Sequence, residues 1–518
     1  MGQLSERLAA LSPQQKSQLF KKLEKKRDDT DRRRILPRER NGESFRLSFA
    51  QQRLWFLQWL EPSNVAYNLS IPLRLNGALQ VSALERSLNE IARRHEALRT
   101  SFPEVNGQPV QVIAPETDFD LRAIDLTNLP REAREEELQR LAQEEARRPF
   151  SLTTGPLVSA HLYRVDDDDS LFLTMMHHII SDGWSMGVFV RELIELYKAF
   201  TEGRTPVLSE LPIQYADFAE WQRQWLGDEV LERLLSYWRR ELDGAPTLEL
   251  PTDFPRPVVS TQAGAIEESA FSAADTEGLR GLVEDVTLSM AVMSVFAVLL
   301  HYLSQSDDIV VGCNVANRNR VETEGLIGFF VNHLPLRIRL DAHTTFRKLL
   351  RQVQRVMLAA FEHQDLPFQS IVDALHLERD VNRNPLFQVM FAFQNTPMPP
   401  ISLPGLRVSG FDLDNGTTAF DFALLVSENG DGLITVLRYS TELFHAATAR
   451  RMLEQLSFLA HEVVADPKTT IERLCDKLSH DDRWRREIKI KQRKTSNIRQ
   501  LDEIARRRVR SAPTEHIS

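Results

Sequence analysis

The sequence predicts an α/β (α+β) protein built as two core-bearing lobes. Three observations carry this. At 518 residues and 42% apolar content, the chain exceeds the size at which one hydrophobic core keeps growing. Its first half contains a hairpin that runs through a glycine-bearing turn into an amphipathic helix. Its second half supplies a separate mixture of strands and helices.

Taken in order, Leu4, Leu8, Leu11, Leu19 and Leu23 predict one or two short helices, followed by the charged run Lys25 to Arg34 and a linker to Glu43. The body begins near Leu47. Ser82 and Glu85 form a capping box for a helix over 82–98 whose Leu84, Leu88 and Ile91 share a face. Leu157 to Val165 and Ser170 to His178 read as hairpin strands, which makes Asp166 to Asp169 a solvated turn and not a metal site. Met186, Phe189, Val190, Leu193, Ile194 and Tyr197 have helical spacing, so a helix starts near Ser185. Leu288 to Leu303 reads as a buried helix: a bilayer span needs about 20 apolar residues, and Ser289, Ser294 and His301 interrupt this one. Strands over 308–315 and 330–340, a helix over 345–361, a proline-marked loop or crossover at 397–404, strands over 419–426 and 433–439, and a helix from Ala446 complete the second lobe.

Composition excludes several classes. Cys313 and Cys475 are the only cysteines and have no partners at metal-ligand spacing, which argues against a disulfide framework and a zinc site and fits the cytoplasm. The N-terminus has no continuous apolar stretch, so it is not a secretory signal, and no membrane association is expected. Residues 476–518 hold 13 Lys and Arg against 7 Asp and Glu, a basic tail on an acidic body. One aromatic, Trp484, interleaves with it and no nucleic-acid motif accompanies it, so nucleic acid is not an expected partner.

The chemistry centres on His177-His178-Ile179-Ile180-Ser181-Asp182-Gly183. Successive strand residues face opposite sides, so the two histidines cannot enter one cleft together. His177 shares its face with Met175, Leu173 and Leu171 and reads as a buried structural group; His178 is the candidate base. Two roles are open to Asp182: holding the imidazole, or pairing with a buried arginine such as Arg53 or Arg99. Gly183 allows tight backbone geometry and close approach of a ligand. The competing motif is Gly183-Trp184-Ser185-Met186-Gly187, a nucleophile-elbow pattern that would make the chain a serine hydrolase or thioesterase. It would need a later histidine, such as His301, His333 or His363, and Ser185 also suits a helix cap.

Six further blocks accompany this motif: 47–57, 94–102, Tyr215 to Trp221, Ile327 to Asn332, His363 to Phe368, and Arg379 to Gln388. With the histidine motif they resemble, in order, the condensation domains of nonribosomal peptide synthetases, over about residues 45–465. The resemblance implies a chloramphenicol acetyltransferase-like fold, two lobes in a V around a central tunnel with His178 at its middle. It divides the chain into an N-terminal helical, linker or docking segment (1–44), an N-lobe (45–215), a C-lobe (216–470) and the basic tail (471–518). It implies that His178 is catalytic and that His177, Asp182, Gly183 and Arg53 support it, Arg53 being the expected partner of Asp182. It implies no bound cofactor and no metal: donor and acceptor substrates ride on phosphopantetheine arms of carrier proteins acting in trans, or a small-molecule acceptor is used. The motif versions resemble condensation rather than cyclization or epimerization domains, and are closest to those taking an L-aminoacyl donor. A silent carrier-recruiting domain is the third class, disfavoured by intact His178, Asp182 and Gly183. Two departures stand out: His333 and Pro335 after Val331-Asn332, and Asn317 where the family usually has glycine.

Overall fold

The computed structural model describes residues 34–42, 44–115, 119–282, 284–376, 383–394, 401–430 and 432–484. The expected N-terminal helices, most of the basic tail and the start of the Arg379 block lie outside them.

In the first half, α1 (Phe49–Leu60) opens on a capping box in which the Ser48 side chain accepts the Gln51 N–H and the Gln51 side chain returns to Ser48. Then follow β1 (Asn68–Gly77), α2 (Val81–Arg94), β2 (Leu121–Asp125), β3 (Val158–Asp166), β4 (Asp169–His177), α3 (Gly183–Thr201) and α4 (Tyr215–Trp225). The helix α2 starts one residue before the expected Ser82 cap, because the Gln80 N–H is held by the Tyr197 hydroxyl at 3.0 Å; Ser82 therefore lies inside the first turn and caps nothing. It ends at Arg94, where His95 turns away to meet Glu192 at 2.9 Å. The aspartates make a tight turn, Asp166 pairing with Asp169 across it.

In the second half come β5 (Gly264–Phe271), α5 (Leu288–Ser304), β6 (Asp308–Val315), β7 (Asn332–Arg339), α6 (Phe346–Glu362), β8 (Val389–Gln394), β9 (Leu406–Gly410), β10 (Phe422–Asn429), β11 (Gly432–Ser440) and α7 (Ala446–Ala465). The apolar α5 is the buried centre of this core, where it packs with α6 and α7.

Two mixed sheets result. The first has the order β9-β1-β4-β3-β2 and the second β7-β6-β8-β10-β11-β5. The edge strand β9 comes from the second half and pairs antiparallel with β1; residues 397–400 of the expected loop or crossover at 397–404 lie outside the described residues, and the segment just after it is a strand that ties one lobe to the other. Pro335 is accommodated because β7 is an edge strand, where a missing N–H costs no ladder bond on the open side. Residues 471–484 form a further helix whose Ile471, Leu474 and Leu478 are buried, so the boundary expected at 471 falls inside the fold.

Between the sheets lies a cavity of about 670 Å³ lined from both halves, including Arg53, Asn68 and His178 on one side and Asn317, His333 and Phe420 on the other.

Candidate active site

The strand β4 ends at His177, and His178–Ile180 form a single 3-10 turn. His177 caps that turn: its Nδ1 accepts the Ile179 N–H at 3.1 Å. The ring is fully buried, edge-on to Phe150, and burial drives its pKa down to about 3, so it stays neutral. His177 is thus placed inside the core and away from the cavity lining. His178, by contrast, is not placed by strand parity: the chain leaves the sheet one residue earlier than expected, and the turn, not the pleat, aims this ring.

His178 lines the cavity. Its Nδ1 lies 2.8 Å from the Ser181 carbonyl. A carbonyl only accepts, so Nδ1 carries the proton and Nε2 keeps its lone pair. Phe329 packs edge-on at 4.8 Å. Burial lowers the pKa of His178, offset in part by the Asp182 charge and the Ser181 carbonyl. The result is a neutral imidazole with a fixed tautomer at the edge of a cavity.

Asp182 caps α3 and is completely buried. Its Oδ1 accepts the Ser185 N–H at 2.8 Å, the Ser185 hydroxyl at 2.7 Å and Arg318 at 3.1 Å, while Oδ2 accepts the Phe330 N–H at 2.9 Å. The expected partner Arg53 is not there. Its guanidinium stands over the Phe368 ring at 5.1 Å, and Arg99 bonds the Ala114 carbonyl. Arg318 takes the role because it reaches in from the second half, 136 positions away in sequence, and also donates to the Leu326 carbonyl at 2.8 Å. Asp182 thus locks the histidine turn to the second half and makes no hydrogen bond to His178.

The tight backbone geometry expected at Gly183 is not found. An added Cβ there would meet nothing within 4 Å, and its φ is not left-handed; what the glycine leaves clear is the cavity wall. Steric demand falls instead on Gly328, where a Cβ would lie 1.9 Å from the Tyr215 ring. That close approach lets the Gly328 N–H and carbonyl bond Ser185 Oγ at 3.1 and 2.8 Å.

Ser185 is no nucleophile in this geometry. Its buried hydroxyl is engaged by Asp182, Gly328 and Arg318, the last at 2.6 Å. The histidines that the elbow motif requires are occupied elsewhere: His301 at the Ser306 carbonyl, His333 at Asn314, and His363 stacked on Tyr237.

The other sequence blocks converge on this junction. Tyr215 bonds Ser48 Oγ at 2.9 Å and the Phe329 carbonyl at 2.5 Å, and Asn332 bonds the Gln364 and Leu366 carbonyls at 2.8 and 2.7 Å. Asn317 has φ 53°, a left-handed conformation that asparagine tolerates better than most residues. The sequence assigns no role in the site to Arg318 or Phe329: Phe329 stands only within the 327–332 block, and Arg318 only beside the Asn317 departure.

The profile of the family described as Condensation domain matches residues 42–480. The chain belongs to that family. Condensation domains are acyltransferases that form amide bonds in nonribosomal peptide synthesis, and the present one is 43% identical over 442 residues to the malpinin synthetase of Mortierella alpina, a match covering 84% of this chain and 6% of that protein. It is 40% identical over 471 residues to the phosphinothricin tripeptide synthetase PhsC of Streptomyces viridochromogenes, covering 90% of this chain and 43% of the relative. The condensation domain thus spans less than half the length of these curated relatives. Among solved structures, the X-domain in the complex with OxyB from teicoplanin biosynthesis superposes with a TM-score of 0.77 at 28% identity, covering 85% of this chain and 97% of that one. The four-domain synthetase holo-AB3403 gives 0.75 at 26% identity, covering 83% of this chain and 34% of that one.

Proposed function

We propose that the protein transfers a carrier-bound acyl or peptidyl group from a phosphopantetheine thioester to an amine, or a hydroxyl, of an acceptor, with His178 at the reacting nucleophile. The observation that carries this is the unprotonated Nε2 of His178, fixed by the Ser181 carbonyl and set in a cavity that both halves line. The acceptor nitrogen attacks the thioester carbonyl carbon, the C–N bond forms, the C–S bond breaks, and the thiol leaves on the donor arm. The proton lost by the nitrogen passes to His178 Nε2 and from there to the departing sulfur. An α-amino group with a pKa of about 8 is already partly neutral near pH 7, so for amines the imidazole acts mainly as a hydrogen-bond acceptor for the developing positive charge.

The carriers are assigned to partner chains. The basic segment after residue 484 suits acidic carriers electrostatically. The free thiols of Cys313 and Cys475 suit the reducing cytosol, and among the described residues no helix is long and apolar enough to cross a membrane.

A recruiting role is the second reading, because the X-domain solved with OxyB has this fold. Mass spectrometry of acyl-loaded donor carrier, mixed with this chain and separate acceptors, distinguishes them. Acyl-acceptor product supports transfer. Free acid selects hydrolysis, and unchanged carrier selects recruitment.

A further inference from the structure

Two polar groups in the cavity have no part in the chemistry above. Arg53 lies over one face of Phe368, and among the described residues its guanidinium has no hydrogen-bond or ion-pair partner. Asp414 is the only carboxylate among the cavity-lining residues, and Arg438 already binds it at 2.7 Å. His333 packs edge-on against the same Phe368 ring at 5.9 Å and is framed by Phe387 and Phe420 at 6.5 and 6.3 Å. Its Nδ1 lies 2.6 Å from Asn314 Oδ1. An amide oxygen only accepts, so Nδ1 carries the proton and Nε2 is left as a bare acceptor with no partner among the described residues.

We propose that Arg53 and His333, held on one phenyl ring, form a subsite for an uncharged amide group of the substrate. This rests on the reading of the cavity as the acyl-transfer site. Arg53 can only donate, and His333 Nε2 can only accept. An amide offers the complement, a carbonyl for the guanidinium and an N–H for the imidazole. A carboxylate brings two acceptors and meets the imidazole lone pair with its own. An ammonium is repelled by Arg53, and a hydrocarbon leaves both groups unpaired in a half-buried place. Burial, with the charge of Arg53 nearby, holds the His333 pKa well below the usual imidazole value, which keeps the acceptor form.

The amide can be the last peptide bond of a peptidyl donor or the side-chain carboxamide of an acceptor. Calorimetric binding to the full chain separates the two. The probes are pantetheine thioethers carrying an N-acetyl-aminoacyl mimic or a glutaminyl mimic, each beside an isostere with methylene for N–H, and a glutamyl carboxylate. One amide probe is expected to bind about tenfold more tightly than its isostere, the worth of one buried hydrogen bond, and which probe does so names the source. His333→Thr should bring the ratio close to one, and His333→Gln, which keeps an acceptor, should preserve it. Ratios within twofold for both probes, a ratio unchanged in His333→Thr, or tightest binding of the carboxylate would overturn the subsite. Absence of acyl transfer with the matching thioesters, alongside a preserved amide preference, would remove the transferase reading and leave the subsite standing.

Discussion

At the residue scale the two adjacent histidines have opposite fates. In the proposed reaction Nε2 of His178 is the working atom, and His178→Ala should then lower the transfer rate by roughly 10²- to 10⁴-fold with a hydroxyl acceptor. The loss should be smaller with a matched amine, which needs less proton removal; equal losses in single-turnover assays would contradict the assignment. If His178 acts when neutral, its burial-lowered pKa should keep the rate with a hydroxyl acceptor, which does not itself titrate in this range, flat as pH falls through 6.5 and let it drop only below that, a profile measurable as kcat/KM against pH; with an amine acceptor the protonation of the amine near pH ~8 adds its own fall. His177 has the complementary signature in stability. Its folded pKa is about 3 against 6.5 when exposed, so the unfolded chain takes up the proton first. Its contribution is complete above pH 6.5 and is lost as pH falls toward 3, by about 1.4 kcal/mol per pH unit within that window. Urea midpoints at pH 7 and 5.5 should show a shallower dependence for His177→Asn, whose carbonyl can still accept the Ile179 N–H.

At the scale of elements, the decisive feature is the start of α3, where Asp182 binds Ser185, Arg318 and the Phe330 N–H in one buried cluster. Arg318→Met leaves a buried carboxylate without its cation and should cost about 3–5 kcal/mol. Arg53→Met, which removes no ion pair of Asp182, should cost far less. Chemical denaturation of the two variants checks the difference, and a larger loss for Arg53→Met would restore the pairing expected from sequence. The hairpin β3–β4, the helix α3 and the buried helix α5 were legible because their patterns are local: period-two strands, period-3.6 helices and a turn rich in aspartate. The strand β1 was not, since Pro72 interrupts it; the proline is tolerated just past the Leu73–Gly77 stretch that β9 covers. The strand β9 was invisible because nothing in Leu406–Gly410 names a partner more than 300 positions earlier. The site was legible as a set of blocks, but not as a network. Which arginine meets Asp182 is decided by how two sheets pack, and no spacing in the chain encodes it.

For the whole molecule, the main consequence of two interlocked sheets is a cavity reached by groups from both halves, with a neutral imidazole at its wall. Removing residues 485–518 spares the packed helix at 471–484 and should weaken capture of an acidic carrier in a pull-down, while leaving the fold intact by circular dichroism. Undiminished capture would assign carrier binding to the body alone. The role of His178 is tested by intact-mass spectrometry of an acyl-loaded donor carrier under single-turnover conditions with an amine acceptor, comparing the unmodified protein, His178→Ala and Ser185→Ala. Amide product is expected to form with the unmodified protein, to persist with Ser185→Ala at reduced stability of the fold, and to be lost with His178→Ala. Amide formation undiminished in His178→Ala, or release of free acid that depends on Ser185, would contradict that role.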